Sequence, residues 1–315
     1  MEMLRPLGTL ALSKQTLDLL TKNGFTYLED ILKAPEAARR FVGVDELIQT
    51  CTPPTAVSAL DHWAAELLCQ RVTTFSKALD ALLDGGFPCG SITELCGAPG
   101  TGKTQICFQL CITAQLSQER GGLDSRVLFI DTRNGFSARR LQDVIEGCQS
   151  DFPDLKTKLK DFLAGITLVS ILTAQELFST VGNLREYLRK NHQLRVIIID
   201  SLSLPVLCSI ENTVVRYKFY VKIFDELQKV ASEYKIAVVI VDELITQLDA
   251  KGNIGFDSGG GQTVAYRCQR RLMLARLNDT TFAAKIIKSP VQPQRSKTFQ
   301  VNCGLQSNWP TPHFI

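Results

Sequence analysis

The stretch of the chain that decides the fold is residues 91–105, which read SITELCGAPGTGKTQ. Residues 97–104 match the GxxxxGKS/T pattern of a P-loop in full, with a strand pattern before them and a helical pattern after them. In such a loop the glycines let backbone amides turn inward around a phosphate, and the N-terminus of the following helix adds a partial positive charge. The alternative is a Gly-Pro-Gly turn with an incidental Gly-Lys-Thr, and the flanking elements argue against it. The candidate phosphate-binding residues are Gly97, Ala98, Pro99, Gly100, Thr101, Gly102, Lys103 and Thr104.

Two residues of this loop predict the chemistry of a bound triphosphate. Lys103 is expected to place a positive charge on the β- and γ-phosphates, and the Thr104 hydroxyl is placed for Mg²⁺. A Mg²⁺ site also needs a carboxylate at the tip of a neighbouring strand. Asp200 is favoured because four β-branched residues, 196–199, precede it directly. Asp131 ends a second apolar strand pattern, and either aspartate could instead be a turn residue that terminates its strand.

Hydrophobic patterning divides the chain into a helical beginning and an α/β remainder. Residues 1–52 predict a small helical domain, with Ser13 as a helix N-cap and Gly24 as a left-handed helix end. Residues 53–72 are expected to form a linker or tether. Residues 73–315 are expected to form the large α/β domain that contains the P-loop.

Short apolar strand patterns alternate with helical patterns through most of the large domain. The strands are predicted at 91–96, 127–131, 166–171, 195–200 and 236–241, and the helices at 103–116, 138–148, 174–190 and 214–234. Strands that are apolar on both faces and alternate with helices indicate a mostly parallel sheet covered by helices. Three strands near the end, at 270–277, 282–288 and 298–303, are predicted to be antiparallel. The segment 249–263 is predicted to be a glycine-rich loop.

Composition excludes several classes of protein. The 315 residues are 45% hydrophobic and 21% charged, which is ample for a buried core and unlike a disordered chain. The longest apolar runs are far shorter than a membrane span, and the first residues lack the layout of a secretion signal. Ten cysteines occur without a CxxC pair or a matching set of histidines. A disulfide framework or zinc site is therefore not expected, and a reducing intracellular compartment is.

The net charge of +3 is unevenly distributed along the chain. Residues 251–315 carry nine basic and two acidic side chains. This concentration of positive charge is typical of a segment that meets a polyanion. A solvated basic surface without a partner is the alternative.

Several motifs around the P-loop together resemble one family. Residues 79–86 read LDALLDGG, 90–95 read GSITEL, 129–132 read FIDT, 198–201 read IIDS and 288–290 read KSP. In this combination the chain closely resembles the RecA-family core of eukaryotic and archaeal recombinases over nearly its whole length. Its helical beginning is similar to that family's small helical domain. Among the branches the chain looks most like a recombinase paralogue, a Rad-type accessory ATPase of homologous recombination, and this implies ATP and Mg²⁺ as ligands.

The resemblance also implies roles for residues beyond the loop itself. Gln105 directly follows the P-loop and belongs to the nucleotide-binding set. Arg140 lies where the family stacks a guanidinium on adenine, a helix-surface arginine being the alternative. Lys288 lies where paralogues present a lysine to the nucleotide of the adjacent subunit, and a lysine that discourages sheet pairing is the alternative. Under the first interpretation of Lys288, ATP is held between subunits.

Two positions depart from the family's pattern. Where the family continues Asp-Thr-Glu-Gly, with a glutamate that positions the attacking water, this chain has Arg133 and Asn134. Where the family has Thr-Asn-Gln, with a glutamine that senses the γ-phosphate, residues 241–243 read VDE. Loss of a water-positioning carboxylate predicts ATP binding with slow or absent hydrolysis. Lys103 and Glu243 are the candidate catalytic residues, although Glu243 could equally form a salt bridge. Arg133 could meet a phosphate, an acidic residue or only solvent.

The family holds DNA on two loops, which fall here at about 209–215 and 246–263. Neutralising phosphates takes several cations, and these two segments contain few. We therefore expect weak, salt-sensitive and non-specific contact with single-stranded DNA, with partner subunits contributing more. The candidate DNA-binding residues are Arg216, Lys251, Arg267, Arg270 and Arg271.

Residues 63–65, Trp-Ala-Ala, lie in the expected linker. They loosely resemble the aromatic-plus-alanine tether that family members add to the core of a neighbouring subunit. A buried helix is the alternative, and it is the preferred interpretation.

The resemblance implies an ATP-binding, nuclear recombinase paralogue that assists homologous-recombination DNA repair. Its expected partners are other paralogues in a hetero-oligomer and the main recombinase filament on single-stranded DNA, and no membrane partner is expected. One alternative is an autonomous DNA-dependent ATPase that forms its own strand-exchange filament, against which Arg133, Asp242 and Glu243 argue. Another is a non-catalytic scaffold with a structural nucleotide.

Overall fold

The chain forms two compact units that divide between Leu67 and Leu68, inside the segment expected to be a linker. The computed structural model describes residues 4–10, 12–51, 56–147, 159–248 and 254–300. The first unit is helical. It contains a 3₁₀-helix at Leu7–Thr9, α1 (Lys14–Lys22), α2 (Leu28–Lys33), α3 (Pro35–Ala38), α4 (Val44–Cys51) and α5 (Ala59–Leu67).

Helix α1 begins and ends where the sequence predicts. The Ser13 hydroxyl accepts a hydrogen bond from the backbone N–H of Thr16 at 3.1 Å, which satisfies a donor that the helix leaves unpaired. Gly24 has a φ of +87°, a left-handed conformation that favours glycine. The first unit has a hydrophobic core of its own, in which Leu20 and Leu28 are fully buried.

Helix α5 corrects one expectation. The sequence favours a buried helix around Trp63, but no residue of α5 is buried. Trp63 is 58% exposed, and Leu60 and Leu67 are each 68% exposed. The alanines and leucines of this segment predict a helix, but composition does not determine whether another element covers it.

The second unit alternates strands and helices. Its elements are β1 (Arg71–Val72), α6 (Lys77–Leu82), β2 (Phe87–Pro88), β3 (Ser91–Gly97), α7 (Lys103–Thr113), β4 (Arg126–Asp131), α8 (Ala138–Gly147), α9 (Leu159–Ala164), β5 (Ile166–Ser170), α10 (Ala174–Gly182), α11 (Leu184–Lys190), β6 (Leu194–Asp200), α12 (Ser203–Ser209), α13 (Thr213–Tyr234), β7 (Ala237–Leu248), β8 (Ile254–Ser258), α14 (Gly261–Arg267), β9 (Arg270–Arg276), β10 (Thr281–Lys288) and β11 (Ser296–Gln300). A further 3₁₀-helix spans Gln118–Arg120.

The main sheet has the strand order β11-β10-β9-β3-β7-β6-β4-β5. From β9 to β5 each neighbouring pair is parallel, whereas β9–β10 and β10–β11 are antiparallel. The predicted α/β class, a mostly parallel sheet flanked by helices with antiparallel strands at its end, is confirmed. The carboxyl ends of β3, β4, β6 and β7 lie at one edge of the sheet, which is where open α/β sheets bind ligands.

Helices cover both faces of the sheet. Along β6, Val196 and Ile198 belong to the same core cluster as Ile106 of α7. Ile197 and Ile199 belong to a second cluster with side chains of α13. This alternation follows from the two-residue repeat of a strand, and it explains why β6 is apolar along its whole length. None of the described helices is both long enough and apolar enough to cross a bilayer.

The sequence predicts a glycine-rich loop at 249–263, and this prediction is wrong for residues 254–263, which the structure describes. β8 runs antiparallel to the end of β7, with Leu244 opposite Ser258, and α14 begins at Gly261. A hairpin pairs its backbone groups with one another and needs few packing side chains, which is why composition suggests a loop here. Residues 249–253, which include the candidate Lys251, lie outside the described residues.

Two boundaries also differ from expectation. The helix predicted at 174–190 is divided at Asn183 into α10 and α11. The loop expected at about 209–215 is reduced to residues 210–212, because α12 ends at Ser209 and α13 begins at Thr213. The sequence does not predict α12 because Pro205 usually indicates the end of a helix. Here Pro205 lies in the first turn, where a helix tolerates proline.

Candidate nucleotide-binding site

Three glycines shape the loop between β3 and α7. A Cβ atom at Gly97 would lie 2.6 Å from the Leu274 carbonyl oxygen and 2.6 Å from the Thr101 hydroxyl, so no larger residue fits. Gly100 and Gly102 have φ values of +77° and +87°, which other residues rarely adopt. The glycines of the motif are thus required by close contact at the first position and by backbone conformation at the other two.

Lys103 is folded back onto this loop. It is 6% exposed, and its Nζ donates hydrogen bonds to the carbonyl oxygens of Gly97 at 2.8 Å and Ala98 at 2.9 Å. Burial lowers the pKa of its amine. A buried ammonium needs acceptors, and phosphate oxygens are stronger acceptors than neutral carbonyls. Lys103 therefore lies where it can exchange backbone acceptors for those of a phosphate.

Thr104 and Asp200 meet beside the loop. The Thr104 hydroxyl donates to Asp200 Oδ2 at 2.6 Å, and Asp200 is 4% exposed. Burial raises the pKa of this carboxyl. Its Oδ1 is buried without a hydrogen-bond partner among the described residues, which fits a cation ligand. No group of three or more acidic, histidine or cysteine side chains in the described residues could hold a metal ion. The Thr104 and Asp200 oxygens are of the kind that Mg²⁺ takes from a protein, beside phosphate and water oxygens.

Asp131 has a different role from Asp200. Its Oδ1 accepts the backbone N–H groups of Arg133 at 3.0 Å and Gly135 at 3.2 Å, and its Oδ2 accepts that of Phe136 at 2.9 Å. These bonds hold the turn that follows β4. The geometry therefore favours Asp200 as the metal ligand and assigns Asp131 to the turn.

Arg133 and Glu243 form an ion pair. The sequence offers a catalytic role or a salt bridge for Glu243, and the structure contains the salt bridge. For Arg133 it offers a phosphate, an acidic residue or solvent, and in the structure the partner is the acidic residue Glu243. Glu243 is two-thirds buried, and its Oε1 accepts the Arg133 guanidinium. A carboxylate that is already paired with a cation is a weak general base, so this arrangement does not favour the base role suggested for Glu243.

Arg140 lies against the first turn of α7. Its Nε donates to Gln105 Oε1 at 2.6 Å, and its Nη1 donates to Asp143 at 3.3 Å. The structure thus brings Arg140 and Gln105 together directly after the P-loop. Their roles towards adenine stay a prediction.

Lys288 is held by the end of α14. Its Nζ donates to the carbonyl oxygens of Ala265 at 3.1 Å and Tyr266 at 2.7 Å, and it lies 5.4 Å from the centre of the Tyr266 ring. A cation favours the carbonyl end of a helix. The role of Lys288 towards the nucleotide of another subunit stays a prediction.

The candidate DNA-binding arginines are largely engaged within the protein. Arg271 pairs with Glu94, and their side chains are only 14% and 0% exposed. Arg267 pairs with Asp225 at 2.5 Å. The expectation that Arg267 and Arg271 offer their charge to DNA is therefore not supported by this geometry. Of two other candidates, Arg270 donates from its Nη1 to Ser91 Oγ at 3.3 Å, and Arg216 is half-buried on α13.

Sequence reasoning misses a buried acidic pair in the sheet. Asp242 and Glu94 are both fully buried, and Asp242 Oδ1 accepts the backbone N–H of Ser203 at 2.9 Å. Burial, and then the charge of Glu94, raise the pKa of Asp242 to about 7. The sequence does contain one indication of this pair, because each acidic residue occurs within a predicted buried strand. A charge in such a strand must be paired or neutralised.

Comparisons with known proteins place the whole chain beside one family. The family profile described as Rad51 matches residues 66–306. The DNA repair protein RAD51 homolog 3 of Cricetulus griseus is 27% identical over 334 residues, covering 95% of this chain and 91% of that protein. The DNA repair and recombination protein RadA of Metallosphaera sedula is 27% identical over 303 residues, covering 92% and 91%. The human DNA repair protein RAD51 homolog 2 is 27% identical over 315 residues, covering 90% and 82%.

Because the matched profile covers well over half of the chain, the protein belongs to the Rad51 family. The resemblance to RecA-family recombinase paralogues is confirmed.

Proposed function

We propose that this protein binds ATP with Mg²⁺ and acts in homologous-recombination DNA repair as an accessory recombinase paralogue. In this role it assembles with other paralogues in a nuclear hetero-oligomer and supports the main recombinase filament on single-stranded DNA. Family membership and the names of the relatives, which are DNA repair and recombination proteins, support the broad role.

The observation that carries the nucleotide proposal is the Asp200 oxygen, Oδ1, that has no hydrogen-bond partner among the residues that the structure describes. This oxygen lies beside the Thr104 hydroxyl, at the start of the helix that follows the loop. A buried carboxylate oxygen without a donor is costly unless a cation meets it. In the bound state Mg²⁺ would neutralise phosphate charge, Thr104 and Asp200 would hold it, and Lys103 would bind the phosphates.

Slow or absent hydrolysis is part of the proposal. Activation of the attacking water needs a positioned carboxylate with a free oxygen. The position after Asp131 and Thr132 carries Arg133, and the nearby Glu243 is paired with that arginine. ATP therefore acts chiefly as a ligand that stabilises the bound state, in line with the proposed assembly between subunits.

Calorimetric titration with Mg²⁺–ATP tests the proposal. We expect the wild type to bind and Lys103→Ala to bind about tenfold more weakly or worse, because the variant loses the buried cation at the phosphates. Lys190→Ala, which removes an exposed lysine on α11, is the matched control and should bind like the wild type. Far-UV circular dichroism establishes that both variants are folded.

A pull-down from source cells, with and without ATP, tests the partner part of the proposal. Other recombinase paralogues should be recovered, and in larger amount with ATP. Recovery of none of them, under both conditions, would contradict the accessory role. Absence of ATP binding by the wild type, even with its recovered partners, would overturn the nucleotide proposal.

A further inference from the structure

An ion pair lies beside the phosphate loop and joins the two positions where this chain departs from its family's pattern. Arg133 follows β4, and Glu243 is the last residue of β7 that pairs with β3, where it stands opposite Gly97. The Arg133 Nη1 donates to Glu243 Oε1. The two side chains are 37% and 33% exposed, so solvent or a ligand can reach the pair.

Both charges act on the residues that would hold the phosphates and the cation. Burial lowers the pKa of Lys103, and Glu243 counteracts this effect whereas Arg133 adds to it. Burial raises the pKa of Asp200, and the Thr104 hydrogen bond and the Arg133 charge counteract it. Because electrostatic effects decay with distance, Arg133 and Glu243 are close enough to influence a charge placed between Lys103 and Asp200.

The side chains at this edge carry charges of both signs. Lys103 and Arg133 are cationic groups, and Asp131, Asp200 and Glu243 are acidic ones. A nucleoside diphosphate held by the loop amides and by Lys103 would place no phosphate beyond its second one and would leave the Arg133–Glu243 pair intact. A third phosphate adds negative charge, which attracts Arg133 and repels Glu243. The Arg133–Glu243 ion pair is partly exposed to solvent and is therefore weak, so the charge of a third phosphate can break it.

We propose that the Arg133–Glu243 pair discriminates between adenosine triphosphate and diphosphate. The Glu243 carboxylate occupies Arg133 in the absence of a third phosphate and competes with that phosphate for the guanidinium. Arg133 is the residue that binds the γ-phosphate, and Glu243 sets how strongly a triphosphate is preferred. This inference rests on the proposed nucleotide binding at the P-loop.

Calorimetric titration of the full chain with ADP and with a non-hydrolysable ATP analogue, both with Mg²⁺, tests the inference. We expect Glu243→Gln to raise the affinity for the analogue about five- to tenfold, because a competing anion is removed. Arg133→Gln should lower that affinity by about the same factor. The affinity for ADP should change less than about twofold in both variants, so that the two substitutions move the ratio of affinities in opposite directions.

Two controls separate charge from structure. Arg133→Lys keeps the positive charge and should retain most of the preference for the analogue. Glu186→Gln removes one partner of an exposed ion pair on α11 and should leave both affinities unchanged. Thermal unfolding of each variant identifies any loss of folded protein.

The outcomes distinguish this inference from the proposed function. If the wild type binds both nucleotides but each variant changes both affinities equally, the discriminating pair is overturned and nucleotide binding stands. If the wild type binds neither nucleotide, both proposals fail. Opposite changes in the two variants, seen with the analogue alone, support the inference.

Discussion

At the scale of single residues, the sheet contains more buried negative charge than positive charge around Asp242. Glu94 stands opposite Arg271 in the register of β3 and β9 and is paired with it. Asp242, on the other neighbouring strand, accepts hydrogen bonds from Ser203, and its Oδ2 has no hydrogen-bond partner among the described residues. Burial and the nearby charge of Glu94 both disfavour the ionised form of Asp242, so the protonated form is the more stable one up to about pH 7.

This arrangement predicts a pH-dependent stability. The pKa of Asp242 is about 7 in the folded protein and 3.8 without its surroundings. As pH rises between these values the unfolded chain releases its proton and the folded protein keeps it, so this group lowers the free energy of unfolding until about pH 7. We expect Asp242→Asn to be near neutral at about pH 4 and to stabilise the protein by on the order of a few kcal/mol at pH 8.

Denaturant unfolding of wild type and variant across this pH range measures the difference. Burial also raises the pKa of Asp80, to about 6, but Asp80 is present in both proteins and its contribution cancels. Asp18→Asn, which changes an exposed aspartate on α1, is the control. A difference between Asp242→Asn and wild type that stays constant with pH would contradict a protonated Asp242.

The residues of the site differ in how well sequence predicts them. The P-loop glycines, Lys103 and Thr104 are adjacent in the chain, so one local motif fixes their geometry. Asp200 is found because it ends a buried strand. The partners of Arg133 and Glu94 lie 110 and 177 residues away, and no local pattern encodes such pairings. Side-chain partners across strands are set by the register of the folded sheet.

At the scale of elements, buried strands are the features that sequence predicts best. β4 and β6 contain continuous apolar runs and β3 is buried along its whole length, and the observed bounds of the three strands differ from the predicted ones by a residue at each end or less. β8 is missed because its stability comes from backbone pairing with β7. The division between α10 and α11 is missed because apolar residues continue across it.

Helix α10 carries a complete capping box at its start. The Thr173 hydroxyl accepts the backbone N–H of Glu176 at 3.2 Å, and the Glu176 carboxylate accepts that of Thr173 at 3.1 Å. We expect Thr173→Ala to lower the free energy of unfolding by about 1 kcal/mol, because the helix loses an N-terminal acceptor. Chemical denaturation measures the change, and Gln175→Ala, at an exposed position on the same helix, should stay within about 0.5 kcal/mol. Equal effects of the two substitutions would contradict a stabilising cap.

At the scale of the whole molecule, the chain divides after Leu67 into two units, each with buried hydrophobic residues of its own. Small domains bury a lower fraction of their surface, so the first unit is expected to be the less stable one. Leu20→Ala should destabilise it by about 2–5 kcal/mol, because Leu20 is fully buried in its core. Nucleotide affinity should be unchanged, since every residue of the candidate site belongs to the second unit.

Calorimetric scanning and nucleotide titration of the same variant check this expectation. An early unfolding transition should move to lower temperature while the main one stays in place. Leu19→Ala, at a neighbouring position that is 49% exposed, is the matched control and should move neither transition appreciably. A single transition that shifts as a whole would mean that the two units unfold together.

The close approach of Gly97 to β9 has a consequence for inherited variation in this protein. The main chain of β9, a strand that is distant in sequence but adjacent in the sheet, fills the space where any side chain at position 97 would lie. A substitution there displaces β9, so ligand retention and protein abundance would be lost together. A substitution at Lys103 removes a charge without that displacement. Natural variants with a substitution at position 97 and those with one at position 103 should therefore differ in how much protein accumulates, even where neither binds nucleotide.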